Sequence, residues 1–509
     1  MRQNSNQQIK TGAVISYITI VFNIAAGLIY TPWMIRLIGK SDYGLFVLVT
    51  SFLTYFVMDF GLGQAIARFI AKYRVEGNET KVNELLGLTT RLYLWINFII
   101  LIVLIFVYFF IESIFGKLSA DELQSFKVVY CIAGFFSVIS FSFTPLNGIL
   151  IAYERFVLLK LCDMIAKIGM IVLMVIALFL GYKLYALVAI NAGVGLLIIV
   201  IKLIYLSKTT AIKIDFFYKS RTLFRELFSF SVWITVIGVA QRLLMNITPT
   251  ILAILSGTAS IAVFSIGLVL EAYTFTFASA LNGLFLPKVS ELSAKKSNMV
   301  EISNLMIRVG RIQLFLVGIL LIGIITLGKQ FITLWMGPDF KDSYYVALFL
   351  ILPGFITLTQ EIGSTLLYVV NELKYRAFLF IGASIVSVII SILLAPKYGA
   401  VGSVIGIFTA LIICHVIGMN FVYWKVLKID IPRFFRECYV KMLLPLGLSL
   451  FAGFLIQVYI PAHNLLTFIP KALLLSIIYV LLMWLMGLNR SEKELILNFV
   501  RKTTSLFQK

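Results

Sequence analysis

Long apolar stretches recur along the whole chain, and they constrain its fold more than any other feature. A membrane-spanning helix needs about 20 consecutive, mostly apolar residues, and the sequence contains fourteen such runs. The predicted spans are 12–35, 43–66, 92–115, 128–148, 161–180, 184–206, 228–254, 260–285, 312–328, 343–369, 377–395, 399–424, 442–460 and 468–487. Only 13% of the residues are charged, against about 25% in soluble domains. The sequence therefore predicts an all-α polytopic membrane protein and excludes a soluble enzyme.

The distribution of basic residues predicts the orientation of these spans. Of the 43 Lys and Arg residues, 33 lie in the termini, in the loops on the same side or in the span ends that border these loops, and 9 lie in the opposite loops or their bordering span ends. Because basic loops stay in the cytoplasm, both termini are predicted to be cytoplasmic. The net charge of +20 then faces anionic membrane lipids, so nucleic acid is not an expected partner.

Short segments of the sequence repeat at a spacing of about 217 residues. Thr31-Pro32 aligns with Thr248-Pro249, and Leu180–Lys183 aligns with Pro396–Gly399. The repeat predicts two pseudo-symmetric lobes of six helices, 1–215 and 216–430, followed by two appended helices and a cytoplasmic tail in 431–509. Since each lobe has an even number of spans, the lobes share one orientation, an arrangement typical of transporters that enclose a central cavity.

One basic residue, Arg242, falls near the middle of a predicted span. A charge at the bilayer centre costs about 2.5 to 3.5 kcal/mol on insertion scales, so it requires a cavity or a partner. Asn246 follows Arg242 on the same helical face, and Asn23 occupies nearly the equivalent position in the first lobe. These residues are candidates for substrate binding. The alternative is a structural ion pair between Arg242 and Glu271 that holds two adjacent helices together.

Three carboxylates within the spans, Glu271, Asp59 and Glu361, are candidates for binding a coupling ion. For Asp59 and Glu361 the alternative is a polar contact at a helix end. Lys167 is a candidate at the inner rim, and its alternative is a pair with Asp163 four residues earlier on one helix face.

Motif searches do not support an enzyme. The sequence contains no GxxxxGK[ST] loop, no HExxH and no paired cysteines, so neither ATP hydrolysis nor a metal centre is predicted, and no cofactor is expected. The loops are also too short for a folded catalytic domain. We therefore expect a transporter.

Four segments of the sequence resemble those of a known family. They are Leu37–Phe46, Asn147-Gly148 through Arg155-Phe156, Gly337–Phe340 and Pro396–Gly402. Together they resemble the O-antigen type polysaccharide flippases of the multidrug, oligosaccharidyl-lipid and polysaccharide exporter superfamily. The resemblance covers nearly the whole chain, including the count of fourteen helices.

The resemblance implies a function in the bacterial cytoplasmic (inner) membrane. Members of that family move undecaprenyl-diphosphate-linked oligosaccharide to the outer leaflet during O-antigen, capsule or exopolysaccharide synthesis, and polysaccharide polymerase machinery is the partner expected downstream. On this hypothesis Arg242 binds the diphosphate, because its planar fork donates to two oxygens. Lys167 and Arg308 assist at the inner rim, and proton or sodium binding drives the cycle.

Three other functions compete with this interpretation. A cation-coupled multidrug antiporter of the same superfamily typically has a carboxylate in its first helix, but Gly12–Ile35 contains no Asp or Glu. A peptidoglycan-precursor flippase is expected to carry several charges in its first two helices, where this chain has only Asp59. A membrane-embedded polysaccharide polymerase or ligase needs a sizeable outer loop, and the outer loops here are short.

Overall fold

The computed structural model describes residues 5–55, 59–210, 212, 215–216, 218, 220–279, 285–294, 299–494 and 497. These residues belong to two compact units. The first unit comprises Met1–Ser265 with Ser384–Ser403, and the second comprises Ile266–Ala383 with Val404–Lys509. Their bounds differ from those of the lobes expected at 1–215 and 216–430, and the lobe organisation stays a prediction.

The described part of the chain consists of helices and their connections. The helices up to residue 255 are α1 Ser5–Ile38, α2 Lys40–Thr54, α3 Leu62–Val75, α4 Glu79–Ile114, α5 Ala120–Ser142, α6 Pro145–Ala152, α7 Phe156–Phe179, α8 Leu184–Thr209, α9 Arg221–Asn246 and α10 Thr248–Leu255. The later helices are α11 Thr258–Ala278, α12 Leu286–Ala294, α13 Met299–Met336, α14 Ser343–Thr357, α15 Glu361–Val369, α16 Leu373–Ala410, α17 Met419–Lys425, α18 Ile431–Phe434, α19 Lys441–Tyr459 and α20 Leu465–Leu482. Short 3-10 segments (Pro338–Phe340 and Leu358–Gln360) and π-helical segments (Leu411–Gly418, Phe435–Val440 and Met483–Gly487) complete them.

Twelve segments among the described residues are long and apolar enough to cross a membrane. Two features explain why the part of the chain that the structure describes has twelve such segments where the sequence predicts fourteen spans. Leu373–Lys425 forms one segment of 53 residues that covers two predicted spans, and Gly399, with a φ of 55°, kinks it between them. The expected span 43–66 is divided between α2 and α3, neither of which is long enough alone. The all-α polytopic membrane fold is confirmed.

Side-chain caps explain where several helices begin. Asn78 accepts a hydrogen bond from the backbone N–H of Lys81 at 3.0 Å, which satisfies a free donor in the first turn of α4. At α5, Ser119 and Glu122 form a reciprocal capping box. Each cap fixes the residue at which a long apolar helix begins.

Glu122 also joins the N-terminal ends of three helices in the first unit. Its carboxylate accepts hydrogen bonds from the hydroxyl of Ser41 on α2 and, at 2.7 Å, from the hydroxyl of Thr258 on α11. The two hydroxyls lie 3.1 Å apart. Gly44 permits this approach, because a Cβ there would lie 2.3 Å from the carbonyl oxygen of Thr258. A carboxylate at helix N-termini is favoured by the helix dipoles.

The second unit contains a buried ion pair that holds its last described helical turns. Arg311 on α13 and Glu492 each have side chains that are 3% exposed. The guanidinium donates to the two carboxylate oxygens of Glu492 at 2.6 and 3.1 Å, and to the carbonyl oxygens of Glu437 and Gly487 at 2.9 and 2.6 Å. A buried pair is stable when its remaining donors are satisfied, as they are here.

Candidate functional site

A break between α2 and α3 brings polar groups into the helical interior of the first unit. Gly61 has a φ of 66° and directly precedes α3, a conformation that glycine adopts without strain. The backbone N–H of Gly63 donates to both carboxylate oxygens of Asp59 at 3.1 Å, and the hydroxyl of Tyr93 donates to one of them at 2.9 Å. Asp59 therefore makes a polar contact at the start of α3, the kind of contact expected as one alternative, and its role in ion coupling stays a prediction.

Arg242 on α9 reaches this break. Its guanidinium donates a hydrogen bond to the carbonyl oxygen of Thr54, the last residue of α2. Asp59 and Tyr55 interact electrostatically with Arg242, but within the described part of the first unit no carboxylate forms an ion pair with it. Arg242 is half-buried, and only one of its guanidinium nitrogens has a hydrogen-bond partner among the described residues, so donor groups remain for a ligand.

Arg242 lines a polar chamber of about 480 Å³. The other residues with polar side chains in its wall are Thr54, Asp59, Gln64, Thr235, Gln241 and Asn246. Amide, hydroxyl and carboxylate groups of this kind hydrogen-bond to sugar hydroxyls. The chamber therefore combines one cation, Arg242, and one carboxylate, Asp59, with neutral amide and hydroxyl groups. Because the guanidinium has donors left, the chamber suits a hydrated ligand that carries negative charge.

A second cavity, of about 340 Å³, meets the chamber at Arg242 and Thr54. It lies between α2, α5 and α8, and its wall is mostly apolar.

Among the described residues, no cluster of three His, Cys, Asp or Glu side chains is arranged as a metal site.

The structure brings some of the predicted site residues together and leaves others apart. Arg242, Asn246 and Asp59 all line the polar chamber. Asn23 lies on α1 and is half-buried, outside the lining of both cavities. Lys167 is exposed on α7. The expected pair with Asp163 is wrong, because Asp163 pairs instead with Lys160 one turn earlier, at 3.5 Å.

Three predicted residues lie in the second unit. Glu271 is half-buried on α11, and Arg308 is exposed on α13. Glu361 begins α15 and interacts electrostatically with Arg376, whose guanidinium donates to the hydroxyl of Ser364 at 2.9 Å. The roles of Glu271, Arg308 and Glu361, including the alternative pair of Glu271 with Arg242, stay predictions.

Sequence reasoning missed Gln64 and Thr54, and it left Asn191 in the second cavity unassigned. Gln64 lies five residues after Asp59. A second polar side chain so close to a carboxylate within a predicted span could have marked Gln64 as a site residue. Thr54 contributes a backbone carbonyl, which carries no sequence signal. Asn191 interrupts the apolar run 184–206, as a polar residue that faces a cavity would.

Comparison with known families identifies the chain. Residues 9–290 match the polysaccharide biosynthesis protein family. The chain belongs to this family. A comparison with curated protein sequences returns no match.

Solved transporters share the fold of this member of the polysaccharide biosynthesis protein family. The lipid II flippase MurJ in an inward closed conformation is 16% identical, with a TM-score of 0.70 over 92% of this chain and 97% of that one. An inward-facing multidrug resistance MATE family transporter of the MOP superfamily is 14% identical, with a TM-score of 0.66 over 82% and 99%. A MOP superfamily transporter from Pyrococcus furiosus is 15% identical, with a TM-score of 0.56 over 82% and 95%. At these identities the likeness establishes the fold.

Proposed function

We propose that this protein is a flippase that moves undecaprenyl-diphosphate-linked oligosaccharide from the cytoplasmic to the outer leaflet by alternating access. The product serves O-antigen, capsule or exopolysaccharide synthesis, and polymerase machinery acts next. The protein is not an enzyme in this account. It resides in the bacterial cytoplasmic membrane with both termini in the cytoplasm.

The single observation that supports this proposal most is the position of Arg242 in a polar chamber at a helix break. The cargo is a large hydrated anion, and Arg binds diphosphate with a fixed fork of donors. Asn246 lies one turn from Arg242 and suits the first sugar. Membership of the polysaccharide biosynthesis family and the fold shared with a lipid II flippase favour a lipid-linked saccharide.

In this proposal the coupling ion binds Asp59 in the first unit, and Glu271 and Glu361 bind it in the second unit. Asp59 interacts electrostatically with Arg242 and shares the chamber with it. A diphosphate that binds Arg242 repels an ionised Asp59, so uptake of a proton or Na⁺ there offsets the repulsion. In this proposal the cargo is also bound by Lys167 and Arg308 at the inner rim and by Asn23 in the first helix.

The contact at Glu122 supports a cycle with two openings. Gly39 and Gly257 directly precede α2 and α11, and their φ values are 89° and 87°. The carboxylate of Glu122 thus ties the starts of α2 and α11 to α5. In this proposal these hydrogen bonds break when the starts of α2, α5 and α11 separate during the cycle.

Deleting the gene tests the function in a host that makes the glycan. We expect lipid-linked oligosaccharide to accumulate on the cytoplasmic leaflet, because the cargo is built there and has lost its route across. The measurement is digestion by a membrane-impermeant glycosidase in intact spheroplasts and in inverted vesicles. Unchanged glycan export together with new drug sensitivity would instead favour the multidrug antiporter.

A further inference from the structure

The apolar cavity beside Arg242 is not explained by binding a sugar or a diphosphate. Its wall includes the side chains of Leu53, Ala133, Phe136, Val188 and Ala192. Leu53, Ala133 and Val188 are buried. The volume of about 340 Å³ is roughly twice that of a cavity that holds benzene, so it accommodates roughly two five-carbon units.

Three hydroxyl-bearing residues in the wall do not make this cavity polar. Thr50 donates to the carbonyl oxygen of Phe46 at 2.8 Å, Thr54 to that of Thr50 at 2.7 Å, and Ser137 to that of Ala133 at 2.8 Å. Each hydroxyl is thus satisfied by its own helix, and such back-bonding is common for Ser and Thr within helices. The cavity therefore presents mainly carbon atoms to an occupant.

Two polar groups in the wall remain for a ligand. Asn191 lines the cavity with an amide that has no hydrogen-bond partner among the described residues, and Arg242 stands where the cavity meets the polar chamber. The guanidinium of Arg242 therefore lies between the apolar cavity on one side and the polar chamber on the other. A matching ligand has an apolar chain, an anionic group and a hydroxylated group in the same order.

We propose that the apolar cavity binds the isoprene units next to the diphosphate of the cargo. The proposal rests on the flippase function, because that function sets a diphosphate at Arg242. The group attached to one side of the diphosphate is a sugar, and the group on the other side is the first isoprene unit. The first two units enter between α2, α5 and α8, while the rest of the lipid chain stays in the bilayer. Burial of these carbons contributes affinity in proportion to the area removed from water.

Photo-crosslinking tests where the lipid chain lies. The probe is a three-unit isoprenyl diphosphate with a benzophenone on its second unit, applied to the purified chain in micelles. We expect labelled peptides that contain residues 133–137 or 188–192, and we expect unlabelled isoprenyl diphosphate to compete. Labelling confined to α13, α19 or α20 overturns the proposal. Equal labelling of the cavity by a benzophenone fatty acid also overturns it, since the cavity then accepts any acyl chain.

A variant that fills the cavity gives an independent measurement. Ala192→Leu adds three carbons to the wall, and Gly193→Leu is the control on the same helix, because a Cβ at Gly193 meets no atom within 4 Å. We expect Ala192→Leu to raise the Kd for the unlabelled isoprenyl diphosphate at least about tenfold. Binding of inorganic diphosphate stays unchanged in both variants.

The two proposals fail in different ways. A normal Kd for isoprenyl diphosphate in Ala192→Leu removes the lipid site and leaves the flippase function intact. Specific labelling of the cavity in a wild-type protein that moves no lipid-linked oligosaccharide would remove the function and keep the site.

Discussion

Arg242→Ala is expected to reduce transport of lipid-linked oligosaccharide by about 100-fold or more while the protein still inserts and folds. Each charge-assisted hydrogen bond to an ionised group contributes about 1.5 to 3 kcal/mol, and about 1.4 kcal/mol corresponds to a tenfold change. Loss of two such bonds to the diphosphate accounts for the expected effect. The measurement is the initial rate of transport in vesicles with matched amounts of protein.

Two variants serve as controls for this prediction. Arg242→Lys keeps the charge without the planar fork, so we expect an intermediate rate. Arg225→Ala removes an exposed cation from the same helix, and we expect the wild-type rate. Full activity in Arg242→Ala would remove Arg242 from the binding of cargo.

Breaking the Arg311–Glu492 pair is expected to destabilise the second unit by about 3 to 5 kcal/mol, because removing one partner leaves an unpaired buried charge. Arg311→Ala also leaves the carbonyl oxygens of Glu437 and Gly487 without this donor. The measurement is the free energy of unfolding in micelles from denaturant titration. The double variant Arg311→Met with Glu492→Leu is expected to recover the part of the loss that comes from the unpaired carboxylate, since it removes both charges together.

An exposed pair on the same segment provides the comparison. Arg490 and Glu494 lie 3.6 Å apart, and the side chain of Arg490 is 96% exposed. Exposed pairs contribute little to stability, so Arg490→Ala should leave the unfolding transition unchanged. Equal destabilisation by Arg490→Ala and Arg311→Ala would show that the burial of Arg311 has no energetic consequence.

The helices were predictable because lipid imposes a simple rule on the sequence. Backbone groups in hydrocarbon must be paired within the chain, so each long apolar run becomes a helix. The break in the span 43–66 had a visible cause as well, since Asp59, Gly61 and Gly63 follow one another closely. Arg242 was recognisable for a similar reason, as a cation inside an apolar run.

Several other cations were not interpretable from sequence. Arg311, Lys471 and Lys202 were counted with the loops, but they are 3%, 2% and 7% exposed. Lys471 donates to the side-chain oxygens of Gln330 and Gln457 at 2.8 and 2.7 Å. A residue near the end of an apolar run can face water or a polar pocket, and only the packing of distant helices decides between them.

The apolar cavity was also invisible in the sequence. Leu53, Phe136 and Val188 are ordinary residues of apolar runs, and only the packing of α2, α5 and α8 leaves a space between them. Thr50 and Ser137 even suggest a polar surface, whereas their hydroxyls bond to their own helices. Likewise, the carbonyl partner of Arg242 lies 188 residues away.

Transport in vesicles that contain the purified chain shows whether the protein itself moves a diphosphate-linked lipid across the bilayer. The cargo is a fluorescent undecaprenyl-diphosphate oligosaccharide, and the comparison lipid carries the same sugar on a neutral linkage. We expect the wild-type protein to move the diphosphate-linked lipid to the opposite leaflet and not to move the neutral one, as reported by a membrane-impermeant quencher. Equal movement of both lipids, or no movement beyond that in protein-free vesicles, would contradict it.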